Sequence, residues 1–309
     1  MTGSPYVAAR VVEAVATGVP VVALESALIT HGFDYPANLE TTVRMMEAVR
    51  ALGAIPAVVA VWQGVPWVGL DRDQIATLAA GRKAAKVSIR DLGLVPLRGG
   101  NGGTTVAATA VLAQRAGVRV FATGGIGGVH RGHPEDVSAD LPTLARTGIV
   151  VVCAGAKSIL DLPRTLEYLE TAGVPVVGWR TDEFPAFYSC RSGLPVDARA
   201  DTPEDVAAVQ RAHLDLGLGQ AVLLAVPVPA EDEVPAEDVE PLIAQAVAEA
   251  EEEGVAGRDL TPFILARMVT LSESRTLRAN QSLLINNARV AAQIAVAVAV
   301  ADDGSPGRG

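Results

Sequence analysis

The chain has 309 residues, half of them hydrophobic but only 4% aromatic, and this composition favours a large core of small aliphatic side chains. Its 25 basic and 35 acidic residues give a net charge of −10, which argues against a nucleic-acid partner. Two cysteines argue against a disulfide framework, and no leader or membrane-spanning segment is recognisable, so we expect a cytoplasmic protein with no membrane partner.

Apolar runs alternate with helical patterns along the whole chain, which is typical of strands connected by helices. In chain order the patterns predict a helix at 6–17, a strand at 21–24, a helix at 36–52, a strand at 55–61, an edge segment at 64–69, a capped helix at 71–80, a polar strand or loop at 86–92, a helix at 104–116 and a strand at 118–123. The second half predicts a strand at 149–153, a helix from 158 to 172, a strand at 174–177, a helix at 202–216, a strand at 220–226, an acidic linker at 227–238 and helices at 239–250, 261–271 and 277–300. We therefore expect one α/β domain over 1–301, a three-layer α/β/α arrangement with a mainly parallel central sheet, and a disordered tail at 302–309.

The stretch from Val118 to Asp161 concentrates the chemically active residue types. One predicted strand ends in a glycine loop at 124–128, and polar residues follow this loop between 130 and 140. The next predicted strand is followed by Lys157. Ser158 and Asp161 resemble a capping box that opens a helix, so Lys157 would precede a helix N-terminus, where the free amine is favoured over the ammonium. A nucleophilic, Schiff-base-forming lysine is the hypothesis; the alternative is an exposed lysine near a helix cap.

Other positions allow two interpretations each. Glu25 directly follows a predicted buried strand and is either a buried structural acceptor or a general acid/base. Lys86 either neutralises a phosphate or is a solvated surface lysine. The pair Asn286 and Asn287 lies inside a predicted helix, where amides are poor helix formers, so it either makes polar contacts into a pocket or is exposed.

Several familiar sites are not supported by the pattern. The glycines at 99–103 and 124–128 fit neither a P-loop nor a dinucleotide fingerprint, so no nicotinamide or flavin cofactor is expected. A zinc site built from His130, His133 and Cys153 is also disfavoured, because the histidines lie in a glycine-rich loop and the cysteine lies in an apolar strand.

Several contiguous strings resemble the pseudouridine-5′-phosphate glycosidases, also called the indigoidine synthase A-like family. The resemblance spans residues 8 to 300. It is carried by Leu24-Glu25-Ser26, His31-Gly32, Lys86-Val87-Ser88, Gly102-Gly103-Thr104-Thr105-Val106, the glycine loop at 122–132, Ser138-Ala139-Asp140-Leu141, the segment 154–162, Thr261-Pro262-Phe263 and Asn286-Asn287-Ala288.

The resemblance implies reversible cleavage of the C–C glycosidic bond of pseudouridine 5′-phosphate to uracil and ribose 5-phosphate, with Mn²⁺ or another divalent cation as cofactor. A C–C bond offers no leaving oxygen to protonate, so an imine on the sugar would supply the electron sink. It implies that Lys157 is the imine-forming nucleophile, that Glu25 moves the proton and that Asp136 binds the metal. It further implies a homotrimer and a separate pseudouridine kinase in the pathway. The residues expected at the substrate are Lys86, Val106, His130, Ser138, Ala139, Asp140, Asn286 and Asn287.

Two departures from the family pattern keep alternatives open. His133-Pro134-Glu135 precedes Asp136 where relatives carry an aromatic residue and a longer loop, and Val226-Pro227 replaces a common Asn-Pro. The main alternative is therefore a C-glycosynthase that attaches ribose 5-phosphate to a non-uracil aromatic aglycone in secondary metabolism. A non-catalytic phosphosugar sensor is a more distant alternative, because no DNA-binding motif accompanies it.

Overall fold

The structure of the chain, a computed structural model, describes residues 4–81, 83–255 and 260–303. The strands in these residues are β1 (Tyr6–Val7), β2 (Val21–Leu24), β3 (Ile55–Trp62), β4 (Val65–Val68), β5 (Ala85–Val87), β6 (Gly102–Thr104), β7 (Val120–Ala122), β8 (Val129–His130), β9 (His133–Val137), β10 (Val150–Cys153), β11 (Leu160–Asp161), β12 (Val176–Trp179), β13 (Ala198–Ala200) and β14 (Val222–Ala225). The helices are α1 (Ala9–Ala16), α2 (Ala27–His31), α3 (Ala37–Arg50), α4 (Arg72–Ala80), α5 (Ile89–Leu92), α6 (Val95–Arg98), α7 (Val106–Arg115), α8 (Asp140–Leu144), α9 (Leu162–Thr171), α10 (Pro203–Asp215), α11 (Ala236–Glu252), α12 (Leu260–Leu271) and α13 (Arg275–Asp303). A 3-10 turn spans Ala230–Asp232.

The main sheet holds eleven strands in the order β1-β4-β3-β2-β7-β10-β14-β12-β13, with β6 and β5 attached beside β3. Its central strands β2, β7, β10, β14 and β12 are parallel, and Val120 pairs with both Val22 and Val150. Every residue of these five strands is buried, because helices lie on both sides of the sheet and neither face meets water. The predicted α/β/α arrangement with a mainly parallel sheet is confirmed.

Helix α13 packs on β2, β7 and β10 and against α3 and α10, whereas α7 packs on β2, β3 and β4 and against α8. By length and composition alone Arg275–Ala301 could cross a membrane, but 56% of its apolar window is buried inside the fold. Its apolar character is therefore that of a core helix. The main cluster of buried hydrophobic side chains contains residues from both ends of the chain, from Ala8 to Val298.

The helix after Lys157 begins later than the sequence predicts. It starts at Leu162 and is capped by Asp161, whose side chain accepts the Arg164 N–H at 3.1 Å. Leu160–Asp161 instead pairs as β11 with β8, and Pro163 is tolerated in the first turn, where no N–H is needed. The prediction that Ser158 opens this helix is wrong, so the helix dipole does not act directly at Lys157.

The glycine cluster at 99–103 also differs from expectation. Gly102–Thr104 forms strand β6, and α7 begins only at Val106, capped by Thr105. Gly103 lies so close to Ser26 that a Cβ would come within 2.6 Å of the Ser26 carbonyl oxygen, so only glycine lets this strand pass α2.

The end of the chain differs as well. Helix α13 continues to Asp303, two residues into the predicted disordered tail, and the rest of that tail, 304–309, lies outside the described residues.

Candidate active site

Three neighbouring parallel strands end at the same edge of the sheet, and each is followed by a polar side chain. Glu25 follows β2, Thr123 follows β7, and Lys157 lies in the loop after β10. Carboxyl ends of parallel strands are the usual place for a ligand site in such a sheet. The fold therefore brings the two residues predicted to be catalytic, Glu25 and Lys157, to one place.

Glu25 is buried at this edge, and the Thr123 hydroxyl donates a hydrogen bond to its Oε1 atom. Burial raises the pKa of Glu25 above its ordinary value; the positive charges of Lys157 and Lys86 and the Thr123 hydroxyl oppose that rise, whereas the Asp140 carboxylate adds to it. A carboxyl group with a raised pKa retains its proton closer to neutral pH, so Glu25 is suited to give and take a proton there.

The loop that carries Lys157 runs beside the glycine loop. The Ile126 N–H donates to the Gly155 carbonyl at 3.1 Å, and the Lys157 N–H donates to the Ile126 carbonyl at 3.0 Å. These reciprocal backbone bonds fix the position of the Lys157 backbone relative to the glycine loop. Lys157 is only half-buried, so its amine lies at a surface that a substrate can reach.

His130 is also half-buried, on β8. Burial lowers the pKa of His130, and the charges of His133, Lys157 and Lys86 lower it further, whereas Asp136 opposes the change. Both lysines are therefore electrostatically close to His130 as well as to Glu25. At neutral pH the imidazole is uncharged, so one ring nitrogen accepts and the other donates a hydrogen bond.

Asp140 is buried and binds the protein backbone on both sides. Its Oδ1 accepts the Ala107 N–H at 2.9 Å and its Oδ2 accepts the Gly127 N–H at 2.8 Å. A Cβ at position 127 would collide with the Asp140 and Ser138 side chains, so glycine is required for this close approach. Asp140 therefore ties the glycine loop to the start of α7, a role that spacing along the sequence does not reveal.

The other expected binding residues on this side surround Asp140. Val106 is the buried first residue of α7, and Ala139 is the residue before α8. The Ser138 hydroxyl accepts the Asp140 N–H at 3.2 Å, and the Ser138 N–H donates to the Gly128 carbonyl at 3.0 Å. Of these residues, Ser138 contacts the glycine loop directly.

A pocket opens beside Glu25, Lys86 and Lys157. Side chains outside the set predicted at the substrate also line it: Leu28, His31, Phe187, Pro262, Leu265, Asn280 and Leu284. Phe187 belongs to the aromatic cluster at 184–188, whose neighbours Phe184 and Tyr188 are buried in the core. Asn280 lies about two helical turns before Asn287 on α13, and that spacing was the only sequence signal for it.

The structure separates the two asparagines of α13. Asn287 is fully buried, and its Nδ2 donates to the Thr123 carbonyl at 2.8 Å and to the Gly124 carbonyl at 3.4 Å. Asn286 lines a different cleft, together with Arg44 and Arg289. The structure therefore brings Asn287 to the glycine loop beside Glu25, and it does not bring Asn286 there.

The expected metal residue, Asp136, is exposed on β9, where its charge acts on His130. Among residues 4–81, 83–255 and 260–303, no group of three or more His, Cys, Asp or Glu side chains is arranged to hold a metal ion. One exposed carboxylate fits a hard divalent cation that keeps most of its water ligands.

Cys153 is fully buried in β10, and burial raises the pKa of its thiol to about 12, so the thiol is protonated in the metal-free chain.

Comparison with known proteins identifies the family. The model of the indigoidine synthase A like protein family matches residues 10–297. The chain belongs to this family. Proteins similar to the chain include a pseudouridine-5′-phosphate glycosidase from Methylobacterium nodulans, 53% identical over 98% of this chain and 90% of that protein, and one from a Roseiflexus species, 55% identical over 95% of each.

Two solved structures superpose closely on the chain. The prealnumycin C-glycosynthase AlnA, in complex with ribulose 5-phosphate, has a TM-score of 0.90 and 39% identity and covers 98% of this chain and 99% of its own. An indigoidine synthase A-like protein from Thermotoga maritima has a TM-score of 0.88 and 35% identity, with 97% and 98% covered.

Proposed function

We propose that this chain is a pseudouridine-5′-phosphate glycosidase, which reversibly cleaves pseudouridine 5′-phosphate to uracil and ribose 5-phosphate. The observation that carries the proposal is the meeting of Lys157 and buried Glu25 in one pocket, at the carboxyl ends of the two parallel strands that flank β7, with Lys86 and His130 electrostatically close. Relatives named as this enzyme, at about half identity over nearly the whole chain, support the same conclusion.

The chemistry follows from the bond to be broken. The Lys157 amine attacks C1′ of the ribose, and the ring oxygen leaves C1′ and takes up the proton that the attacking nitrogen loses. The nitrogen lone pair then forms an imine with C1′ as the C–C bond to uracil breaks, and Glu25 delivers a proton to the uracil carbon that takes the bonding electrons. Water hydrolyses the imine to release ribose 5-phosphate and the free Lys157 amine.

Other residues bind and orient the sugar phosphate in this proposal. Lys86 offers positive charge to the phosphate, and neutral His130 offers one donor and one acceptor to sugar hydroxyls. Val106, Ser138 and Ala139 contact the sugar in this proposal. Asp140 ties the start of α7 to the glycine loop, and Asn287 binds the Thr123 and Gly124 carbonyls.

Asp136 would hold Mn²⁺ or another divalent cation in its largely hydrated form. When bound, such an ion supplies positive charge beside the phosphosugar. We further propose a cytoplasmic homotrimer that receives its phosphorylated substrate from a separate pseudouridine kinase.

The second candidate is a C-glycosynthase that joins ribose 5-phosphate to a non-uracil aromatic aglycone. It is favoured by the close superposition with AlnA, at a TM-score of 0.90. Its chemistry uses the same Lys157 imine in the direction of synthesis, so the two candidates differ in aglycone rather than in mechanism.

Turnover assays separate the two candidates. Purified protein is incubated with pseudouridine 5′-phosphate, with and without Mn²⁺, and loss of the substrate is followed by ultraviolet absorbance and chromatography; the reverse reaction uses ribose 5-phosphate with uracil. The glycosidase proposal expects both reactions. If neither occurs while ribose 5-phosphate condenses with a polycyclic aromatic acceptor, the C-glycosynthase is correct instead.

A further inference from the structure

Arg131 lies between β8 and β9, and its side chain reaches back to the turn that follows Lys157. Its Nη2 donates to the Ser158 carbonyl at 2.8 Å, and its Nε donates to the Leu160 carbonyl at 3.0 Å. The Leu160 N–H donates to the Lys157 carbonyl at 3.0 Å. One guanidinium therefore holds the turn that fixes the backbone of the proposed nucleophile.

The same guanidinium is held from the other side by Glu240 on α11. Nη1 donates to Oε2 at 2.7 Å and Nη2 donates to Oε1 at 3.0 Å, a paired geometry that fixes the plane of the guanidinium. Helix α11 packs against α12, and α12 places Pro262 and Leu265 in the wall of the pocket. The Arg131–Glu240 pair thus connects the Lys157 turn to α11 and, through α11, to the helix α12 that lines the pocket.

We propose that Arg131 and Glu240 form a positioning pair that orients Lys157 for attack on the sugar. The proposal rests on the proposed function, because it concerns Lys157 as the imine-forming amine. The partners of Arg131 are two backbone carbonyls and a carboxylate, so it acts on the reacting amine through the turn and not by contact with the substrate.

The geometry requires an arginine at this position. Only a planar group with several N–H donors can bind two carbonyls and a carboxylate at once, whereas a lysine ammonium offers one compact charge. Arg131→Lys keeps the positive charge, but it should slow imine formation nearly as much as Arg131→Gln does.

The test measures imine formation directly. Arg131→Gln, Arg131→Lys and Glu240→Gln are compared with wild type by borohydride trapping of ribose 5-phosphate over a range of sugar concentrations. The control is Arg199→Gln. Arg199 lies on β13, at the edge of the main sheet away from β10, and its replacement removes an exposed ion pair with Asp182. Thermal unfolding of each variant is measured in parallel, so that loss of fold is separated from loss of position.

A misplaced nucleophile lowers the rate at saturation more than it weakens binding. We expect Arg131→Gln and Arg131→Lys to slow trapping at saturating sugar by about 10-fold or more, with the half-saturating concentration little changed. Glu240→Gln should slow it by about 2- to 5-fold, because the pair is partly exposed, and Arg199→Gln should stay within about 2-fold. The double variant Arg131→Gln/Glu240→Gln should be no slower than Arg131→Gln alone, because Glu240 acts through Arg131.

Trapping by Arg131→Gln at the wild-type rate would overturn the proposal, as would additive losses in the double variant. If Arg131→Gln fails to fold, Glu240→Gln alone decides the question, and a wild-type rate in that variant overturns the pair. A wild-type chain that forms no trapped adduct contradicts the proposed function itself, and the pair with it.

Discussion

Replacement of Asp140 by asparagine separates a structural role from a substrate-binding role. Both carboxylate oxygens accept backbone N–H groups, at 2.8 and 2.9 Å, in a buried setting. An amide has one oxygen and one NH₂ group, so in either orientation it leaves the N–H of Ala107 or of Gly127 facing another donor. The loss of one charge-assisted bond and the orphaned donor together should cost about 2–4 kcal/mol of the free energy of unfolding.

Urea denaturation followed by circular dichroism measures this loss, and Asp182→Asn is the matched control. Asp182 is 77% exposed and pairs with Arg199 at the surface, so its replacement should change the free energy of unfolding by less than about 1 kcal/mol. Because the Asp140 charge raises the pKa of Glu25, Asp140→Asn should also move the Glu25-dependent limb of the activity profile to lower pH. An Asp140→Asn variant of unchanged stability that binds ribose 5-phosphate about tenfold more weakly would refute this reasoning, since Asp140 would then act on the substrate itself.

Three further predictions concern Glu25 and its surroundings. Glu25→Gln should lower kcat by about 10²- to 10⁴-fold. Because the pKa of Glu25 is raised in the folded state, the Glu25 carboxyl stabilises the fold at low pH and this stabilisation is lost as pH rises. The Tm of Glu25→Gln should therefore rise relative to that of wild type from pH 4 to pH 8. Thr123→Val removes a donor that lowers the pKa of Glu25, so the pH–rate profile should shift upward, whereas Thr123→Ser should leave it in place. Asn287→Ala should lose about 2–3 kcal/mol of the free energy of unfolding, whereas Asn286→Ala should lose less than about 0.5 kcal/mol and leave sugar binding unchanged.

Each of these predictions can fail separately. A Tm difference between Glu25→Gln and wild type that is the same at pH 4 and pH 8 would show that the Glu25 carboxyl is not held in its protonated form by burial. Equal pH profiles for Thr123→Val and Thr123→Ser would remove the hydroxyl from the proton-transfer site. Equal unfolding free energies for the two asparagine variants would contradict the different burial of the pair.

The parallel core of the fold could be predicted because its strands are continuous apolar runs buried on both faces. The same regularity placed Glu25 and Lys157 at strand ends, where parallel topology brings them together. The small sheet of β11, β8 and β9 could not be predicted in this way. It pairs segments of only a few residues, and its position depends on contacts between distant parts of the chain.

The roles of individual residues within the site were harder to predict from the sequence than the location of the site. The sequence placed Asp140 and Asn287 among the residues expected at the substrate, but it did not show that they bind backbone groups, because their partners lie far along the chain. The start of α9 was misplaced because Ser158 and Asp161 match the spacing of a capping box, whereas pairing of β11 with β8 decides the local conformation. Local patterns thus located the chemistry, and tertiary contacts assigned the supporting roles.

The central claim is that Lys157 forms an imine with the sugar. It is tested most directly by borohydride reduction during turnover of pseudouridine 5′-phosphate or in the presence of ribose 5-phosphate, followed by peptide mass mapping. The account predicts a reduced ribose 5-phosphate adduct on the peptide that contains Lys157 and no adduct in Lys157→Ala. An adduct on another lysine, or continued turnover with Lys157 unmodified, would contradict it.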